Sequence, residues 1–516
     1  MSESTSMNSH RTHGRRTSMI GAAVMMLGSS YFDMAFGLVR GILVMNLLGP
    51  TGRGIMGLVG MAHKYLTHSH LGVLHGISKD LPLAIGRKDT AAVDEIEGVG
   101  AAFVTLTGIL AGLGMAVFGL VMDYGVETKV SLIAGGGILA AQQVYALYRV
   151  VLRAWDRFGT LAVASVVSTL SQFCLILLGA ALFHVSGAML GWLLALIISV
   201  LYFAYGSRFV IPWHIDWTVV ARLVRSGLFI AFIILSDTLL RTVDGLVIVT
   251  SYPDKAYKFG LYSVAVQVAT YLYRIPEAGG FVIMPRILQN YAAKDDVEGV
   301  RRHVMLPTIA SATILPVAAG CAFVLLPPMV RTVVPKFESA IYAAQVLSLA
   351  SVLLALPVAS NTLLIALNKD WFVVMNKCIG AAVIWGFGTW YASRGGHLSM
   401  IAMGAGIGYF VASLMSLYEV LSRYYKPRGR MLGQLAMCYL PLAWCVGALK
   451  GSGVAADALV PHVEHEWLSA GIRLCMFLIA ALPVILYGNA KTRLLHEVLR
   501  LARRTLDQRN GNKNGK

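Results

Sequence analysis

IMGLVGMAHKYLTHSHLGVLHGISKDLPLAIGR, residues 55–87, is apolar at both ends and polar in the middle, and the fold turns on how that middle is read. The apolar piece before it, residues 55–62, is too short to cross a hydrocarbon core of about 30 Å, which needs about 20 helical residues. The patch His63-Lys64-Tyr65-Leu66-Thr67-His68-Ser69-His70 is therefore expected inside the membrane, within one span. At about 100° per residue, Lys64, His68, His75 and Lys79 fall within about 60° of one another, which predicts a single basic face. His63 and His70 point off that face and read as packing or interfacial groups.

The rest of the chain makes the lipid setting general. Its 516 residues are 57% hydrophobic and only 13% charged, with a mean hydropathy of +0.68. That is too apolar for a soluble protein. Long uncharged runs divide into about fourteen helix-length spans. Helices satisfy their own backbone in lipid, so the fold class is all-α, a polytopic membrane protein, and the alternation of an outer-membrane barrel is absent. The first run, residues 19–48, is too long for a signal-peptide core and is read as span 1.

A net charge of +17 could suggest nucleic acid. Placement argues otherwise. With the amino terminus inside, about 29 of the Lys and Arg residues fall in cytoplasmic segments and about 8 outside, the positive-inside asymmetry. The inside set includes Arg87 and Lys88, Arg149, Arg153 and Arg157, Arg301 and Arg302, and Arg423 to Arg430. Both termini are expected in the cytoplasm, and nucleic acid is not an expected partner. The six cysteines lie in apolar stretches without a CxxC and read as core packing, not as disulfide or metal ligands.

The predicted organisation is a cytoplasmic tail at 1–18, a six-helix bundle at 19–205, an interfacial linker at 206–222, a second six-helix bundle at 223–425, two further transmembrane helices at 426–488, and an amphipathic basic helix with a tail at 489–516. The linker is marked by Pro212, Trp213, Asp216 and Trp217. The bundles echo each other. Val39-Arg40-Gly41 matches Val243-Asp244-Gly245 at an offset of 204, which also sets Asp33 against Asp237; Gly54-Ile55-Met56-Gly57 faces Gly260-Leu261-Tyr262-Ser263 at 206, as Lys88-Asp89 faces Lys294-Asp295. Near-constant offsets argue for a duplicated six-helix unit, and an even span number makes it a parallel repeat.

Leu48-Gly49-Pro50-Thr51-Gly52-Arg53-Gly54, then Val243-Asp244, Gly260-Leu261-Tyr262-Ser263-Val264-Ala265, Pro285-Arg286 and Ala293-Lys294-Asp295 carry a family resemblance. The chain resembles the polysaccharide-export flippases of the multidrug/oligosaccharidyl-lipid/polysaccharide superfamily. That resemblance implies two six-helix bundles with two trailing helices, and transport of polyprenyl-pyrophosphate-linked oligosaccharides across the bacterial inner membrane. The His/Lys cluster of span 2 departs from the mostly apolar segment usual there.

Intramembrane charge costs about 2.5 to 3.5 kcal/mol per residue and tends to face a cavity or a partner. Spans 1, 2, 7 and 8 carry nearly all of it. In a cleft of a parallel-repeat transporter, Arg40, Lys64, His68, His75, Lys79, Arg241 and Arg274 would bind a dianionic pyrophosphate, which needs several cationic donors once stripped of water. Asp33, Asp237, Asp244 and Glu277 are the expected ion-coupling groups, with coupling to H+ or Na+ open and no cofactor or metal expected. The competing reading makes Arg40 with Asp33, Asp237 with Arg241, and Arg274 with Glu277 static ion pairs, leaves Lys79 snorkelling to the interface, and keeps the histidines as neutral cavity residues.

Three other functions compete. A drug/cation antiporter of the same superfamily should show an acidic or aromatic cleft, whereas the embedded basic groups prevail on spans 1 and 2. A lipid II flippase is chemically close. A membrane glycosyltransferase or ligase lacks a DxD pair here and a large extramembrane loop, so no enzyme is expected. Lipid-linked oligosaccharide and membrane lipids are the expected partners, with a polysaccharide polymerase or assembly protein open.

Overall fold

The computed structural model describes residues 19–206, 212–294, 297–459 and 465–492, with side chains described outside 19–24, 27, 206, 275–294, 297 and 456–459. The predicted tails at 1–18 and 493–516, and with them nearly all of the amphipathic helix, lie outside the described residues. Everything regular among the described residues is helical: α1 Met19–Leu66, α2 Val73–Arg87, α3 Thr90–Val121, α4 Val126–Ala154, α5 Phe158–Leu201, α6 Trp217–Ser251, α7 Lys255–Lys294, α8 Val297–Val333, α9 Ile341–Ala355, α10 Val358–Ala366, α11 Asp370–Ala392, α12 Leu398–Tyr424, α13 Arg428–Leu459 and α14 Glu466–Thr492.

Eleven stretches of helix among the described residues are long and apolar enough to cross a membrane. Two of them are double. At 48 residues α1 would be about 72 Å long if straight, more than twice a hydrocarbon core. It breaks at Gly49, whose φ of 65° and ψ of −176° suit glycine, and Pro50 then starts the next segment. α5 breaks at Phe183 and His184. A Cβ on Gly179 would overlap the carbonyl of Gly187, and one on Gly191 that of Leu175, so α5 folds back on itself as a tight helical hairpin. Counting each as two spans, with α2 completing span 2, α9 and α10 forming one broken span, and α7 added, gives the fourteen spans read from the sequence.

The surface confirms what surrounds it. Leu106, Leu110, Leu113, Val117 and Leu120 form an exposed apolar stripe along α3, a face suited to lipid and not to water. Cys438 and Cys445 are buried, but Cys174, Cys378 and Cys475 are exposed on spans, which corrects the expectation that all six pack in the core. The small thiol side chain is at home against hydrocarbon.

The chain falls into two compact units, Met1–Ser263 and Val264–Lys516, divided inside α7. The first unit is centred on Val73, Ile77 and Leu81 of α2, packed with Val99 and Val104 of α3, Leu147 and Val151 of α4, and Leu223 of α6. Asp216 caps α6 by accepting from the N–H and O–H of Thr218 at 2.8 and 2.6 Å. These donors hold its carboxyl below the usual carboxylate range. In the second unit, Phe477, Ala481 and Val484 of α14 pack with Cys445 and Leu449 of α13, and Asn376 of α11 donates to Ser416 of α12 at 3.1 Å.

Candidate functional site

The polar middle of span 2 breaks the helix. α1 ends at Leu66, a 3₁₀ turn covers Thr67–His70, and Leu71 and Gly72 follow in the left-handed region at φ 49° and 87° before α2 begins. Two left-handed residues in succession reset the helical phase. The single basic face predicted from a continuous 100° progression is therefore replaced by two groups: Lys64 and His68 before the break, His75 and Lys79 after it. A break at membrane depth frees backbone groups that lipid cannot satisfy. Gln143 of α4, fully buried, meets that need: its Nε2 donates to the Thr67 carbonyl at 2.7 Å and to Ser69 Oγ at 3.2 Å. The Gly72 N–H donates to His70 Nδ1 at 3.1 Å. The His70 ring is buried and lies 5.5 Å from His75 and 6.5 Å from His68.

Gln143→Leu is accordingly expected to destabilise the protein by about 1 to 3 kcal/mol, because the Thr67 carbonyl loses its donor. Thermal unfolding in detergent measures this; an unchanged midpoint would mean that the carbonyl is satisfied from elsewhere.

Lys64 stands beside a second polar centre. Asp244 of α6 is 1% exposed. Its Oδ2 accepts from the Tyr262 hydroxyl at 2.7 Å and its Oδ1 from the Gly245 N–H at 2.8 Å. The Lys64 ammonium acts on it electrostatically, while the Lys64 side chain is exposed. The neighbouring Tyr65 hydroxyl lies 2.6 Å from Thr242 Oγ1. Thr242 spends its own proton on the Thr238 carbonyl at 2.7 Å, so Tyr65 is the donor to Thr242. One turn back, Asp237 and Arg241 form an ion pair at 2.7 Å with each side chain 28% exposed.

A helix crossing brings these groups together. A Cβ on Gly54 would overlap the carbonyl oxygen of Ala256, and one on Gly260 that of Pro50. At the offset of 206, Pro50 corresponds to Ala256 and Gly54 to Gly260, so this contact maps onto itself under the internal repeat. Phe259 wedges between Gly57 and Gly245, at 2.6 and 2.7 Å from where their Cβ atoms would lie. Tyr262, one turn further along α7, then reaches Asp244.

Asp33 and Arg40 find partners on α5. Arg40 donates to Gln172 Oε1 at 2.9 Å, Gln172 donates to Ser168 Oγ at 3.0 Å, and Thr169 donates to Asp33 Oδ1 at 3.1 Å. Tyr145 of α4 lies close to Ser168. Sequence reading followed the embedded charge to spans 1, 2, 7 and 8 and missed this network. Its signal was there in the side-chain amides and hydroxyls set in apolar runs, with no charge to draw the eye. Glu97 was missed too; it is fully buried and accepts from Trp155 Nε1 at 2.6 Å. Lys79 and Arg274 are exposed, and Glu277 lies outside the residues whose side chains are described. Among the described residues, no three His, Cys, Asp or Glu side chains converge as a metal site would require.

Comparison with known proteins agrees with this architecture. Residues 109–360 match the family model described as "Polysaccharide biosynthesis protein". No curated protein matches the sequence. Among solved structures, an inward-facing multidrug resistance MATE family transporter of the MOP superfamily aligns with a TM-score of 0.64 at 16% identity, over 80% of this chain and 98% of that one. Its outward-facing counterpart gives 0.55 at 16% identity, over 80% and 96%. A MOP superfamily transporter from Pyrococcus furiosus, described as having a binding pocket of reverse polarity that suggests a different function, gives 0.58 at 16% identity, over 81% and 97%.

The fold is thus that of the multidrug/oligosaccharidyl-lipid/polysaccharide (MOP) superfamily transporters. The polysaccharide-biosynthesis family model covers residues 109–360, just under half of the chain, and the likeness to these transporters is one of fold.

Proposed function

We propose that this transporter flips a polyprenyl-pyrophosphate-linked oligosaccharide across the bacterial inner membrane by alternating access, for surface polysaccharide biosynthesis. The observation that carries the reading is the division of charge around span 2. The carboxylate of Asp244 is sequestered by Tyr262 and Gly245, while the cation Lys64 beside it is exposed. A carrier of cationic drugs needs the reverse, an accessible carboxylate in a site that leaves its cations covered. An exposed ammonium at membrane depth suits an anionic headgroup, whose desolvation needs charge-assisted donors. The polysaccharide-biosynthesis match over residues 109–360 supports the same cargo.

On this reading Arg40, Lys64, His68, His75, Lys79, Arg241 and Arg274 contribute to the headgroup path, and Asp33, Asp237 and Asp244 are the groups through which H+ or Na+ coupling would act. The cytoplasmic placement of both termini belongs to the same proposal. The test is flipping of a polyprenyl-pyrophosphate oligosaccharide in proteoliposomes. Lys64→Ala and Arg241→Ala are each expected to slow it by about tenfold or more, the worth of one charge-assisted contact. Wild-type rates in both variants would remove the basic path. A wild-type protein that moves a cationic dye and leaves the lipid-linked sugar in place would instead make it a drug antiporter.

A further inference from the structure

The C-terminal end of α4 carries two arginines one helical turn apart, Arg149 and Arg153, both exposed. Their charges repel, as like charges at this spacing do. Other arginines near helix ends have carboxylates: Arg222 pairs with Glu95 at 2.8 Å, Arg301 with Glu298 at 2.6 Å and Arg423 with Glu419 at 3.0 Å. Among the described residues, neither Arg149 nor Arg153 forms an ion pair with a carboxylate. Arg149 lies with its Cζ 5.9 Å from the ring centroid of Tyr145, a residue 7% exposed and set against Phe203 at 5.3 Å. From Tyr145 the polar chain continues through Ser168 and Gln172 to Arg40. Asp33, held by Thr169, acts electrostatically on Tyr145.

We propose that Arg149 and Arg153 form a capture site for a diphosphate headgroup, from which the Tyr145–Ser168–Gln172–Arg40 chain leads into the transmembrane bundle. Among the described residues, the guanidiniums of Arg149 and Arg153 have no carboxylate in an ion pair with them. The two uncompensated positive charges match the two negative charges of a diphosphate diester. Guanidinium forks favour such oxyanions because they bind two oxygens at once, and the Tyr145 face restrains Arg149 without neutralising it. The site deepens the flipping proposal and rests on it for the identity of the headgroup. The shared chemistry, a phosphate oxyanion at a membrane surface, is also that of an anionic phospholipid.

The experiment uses the full chain in phosphatidylcholine nanodiscs titrated with inorganic pyrophosphate. Arg149→Ala/Arg153→Ala is expected to weaken binding by about tenfold or more, and Arg149→Lys/Arg153→Lys to recover part of the loss. Unaltered binding in a folded alanine double variant overturns the proposal. If that variant does not fold, Arg149→Gln alone carries the same comparison. A second arm replaces part of the phosphatidylcholine with phosphatidylglycerol. Competition that is lost in the double variant supports the oxyanion site and makes bulk lipid its occupant. Failure of both pyrophosphate and phosphatidylglycerol to distinguish wild type from variant overturns it. Pyrophosphate binding through this pair in a protein that flips no lipid-linked sugar would refute the transport proposal while leaving the oxyanion site in place.

Discussion

Gly54→Ala and Gly260→Ala are each expected to destabilise the protein by about 3 kcal/mol or more and to abolish transport. In both cases the added methyl meets a backbone carbonyl, Ala256 for Gly54 and Pro50 for Gly260. A carbonyl oxygen fixed in a helix cannot turn aside as a side chain can, so relief requires the two helices to separate. Overpacking a fitted interface costs about 1 to 3 kcal/mol, and more where backbone must move. Separation would also draw Tyr262 away from Asp244. Thermal unfolding in detergent and the flipping assay read the two effects. Gly60→Ala, on the same helical segment with nothing within 4 Å, is the matched control and should be near neutral. Equal unfolding midpoints for Gly54→Ala and Gly60→Ala would show that the crossing is not in backbone contact.

The second large effect is expected at Asp244. Asp244→Ala removes the acceptor of both Tyr262 and the Gly245 N–H, and leaving a buried donor unsatisfied costs about 1 to 3 kcal/mol for each. Asp244→Asn keeps the volume and an acceptor for the Tyr262 hydroxyl while removing the charge. It should therefore retain most of the stability and lose transport, separating the structural part of the carboxylate from its electrostatic part. If Asp244→Asn flips substrate at the wild-type rate, the charge has no part in the cycle. If Asp244→Ala unfolds at the wild-type temperature, the packing argument around Tyr262 fails.

Much of the fold was legible because lipid imposes a simple rule. Backbone groups must be satisfied within the segment, so each uncharged run of adequate length becomes a helix. α3, α4 and α8 each contain such a run. The offset of 206 also picked out Gly54 and Gly260, the small residues on the two sides of one crossing. The candidate site was legible only in part. Asp237 and Arg241 pair as their i, i+4 spacing suggests, and charged residues in spans are rare enough to be noticed. The α4 and α5 network escaped because Gln143, Ser168 and Gln172 carry no charge, and their roles depend on which helix each one meets.

Sequence by itself determined that this is a helical membrane protein of about fourteen spans, and that its second span holds cations. Those properties follow from hydrophobicity, length and spacing along one strand of chain. Tertiary structure alone decided that the second span breaks at Leu71 and Gly72, that Gln143 satisfies the break, and that Asp244 is closed off while Lys64 is exposed. Each of these depends on a group far away in sequence arriving at hydrogen-bond or van der Waals distance, and no local periodicity encodes that arrival.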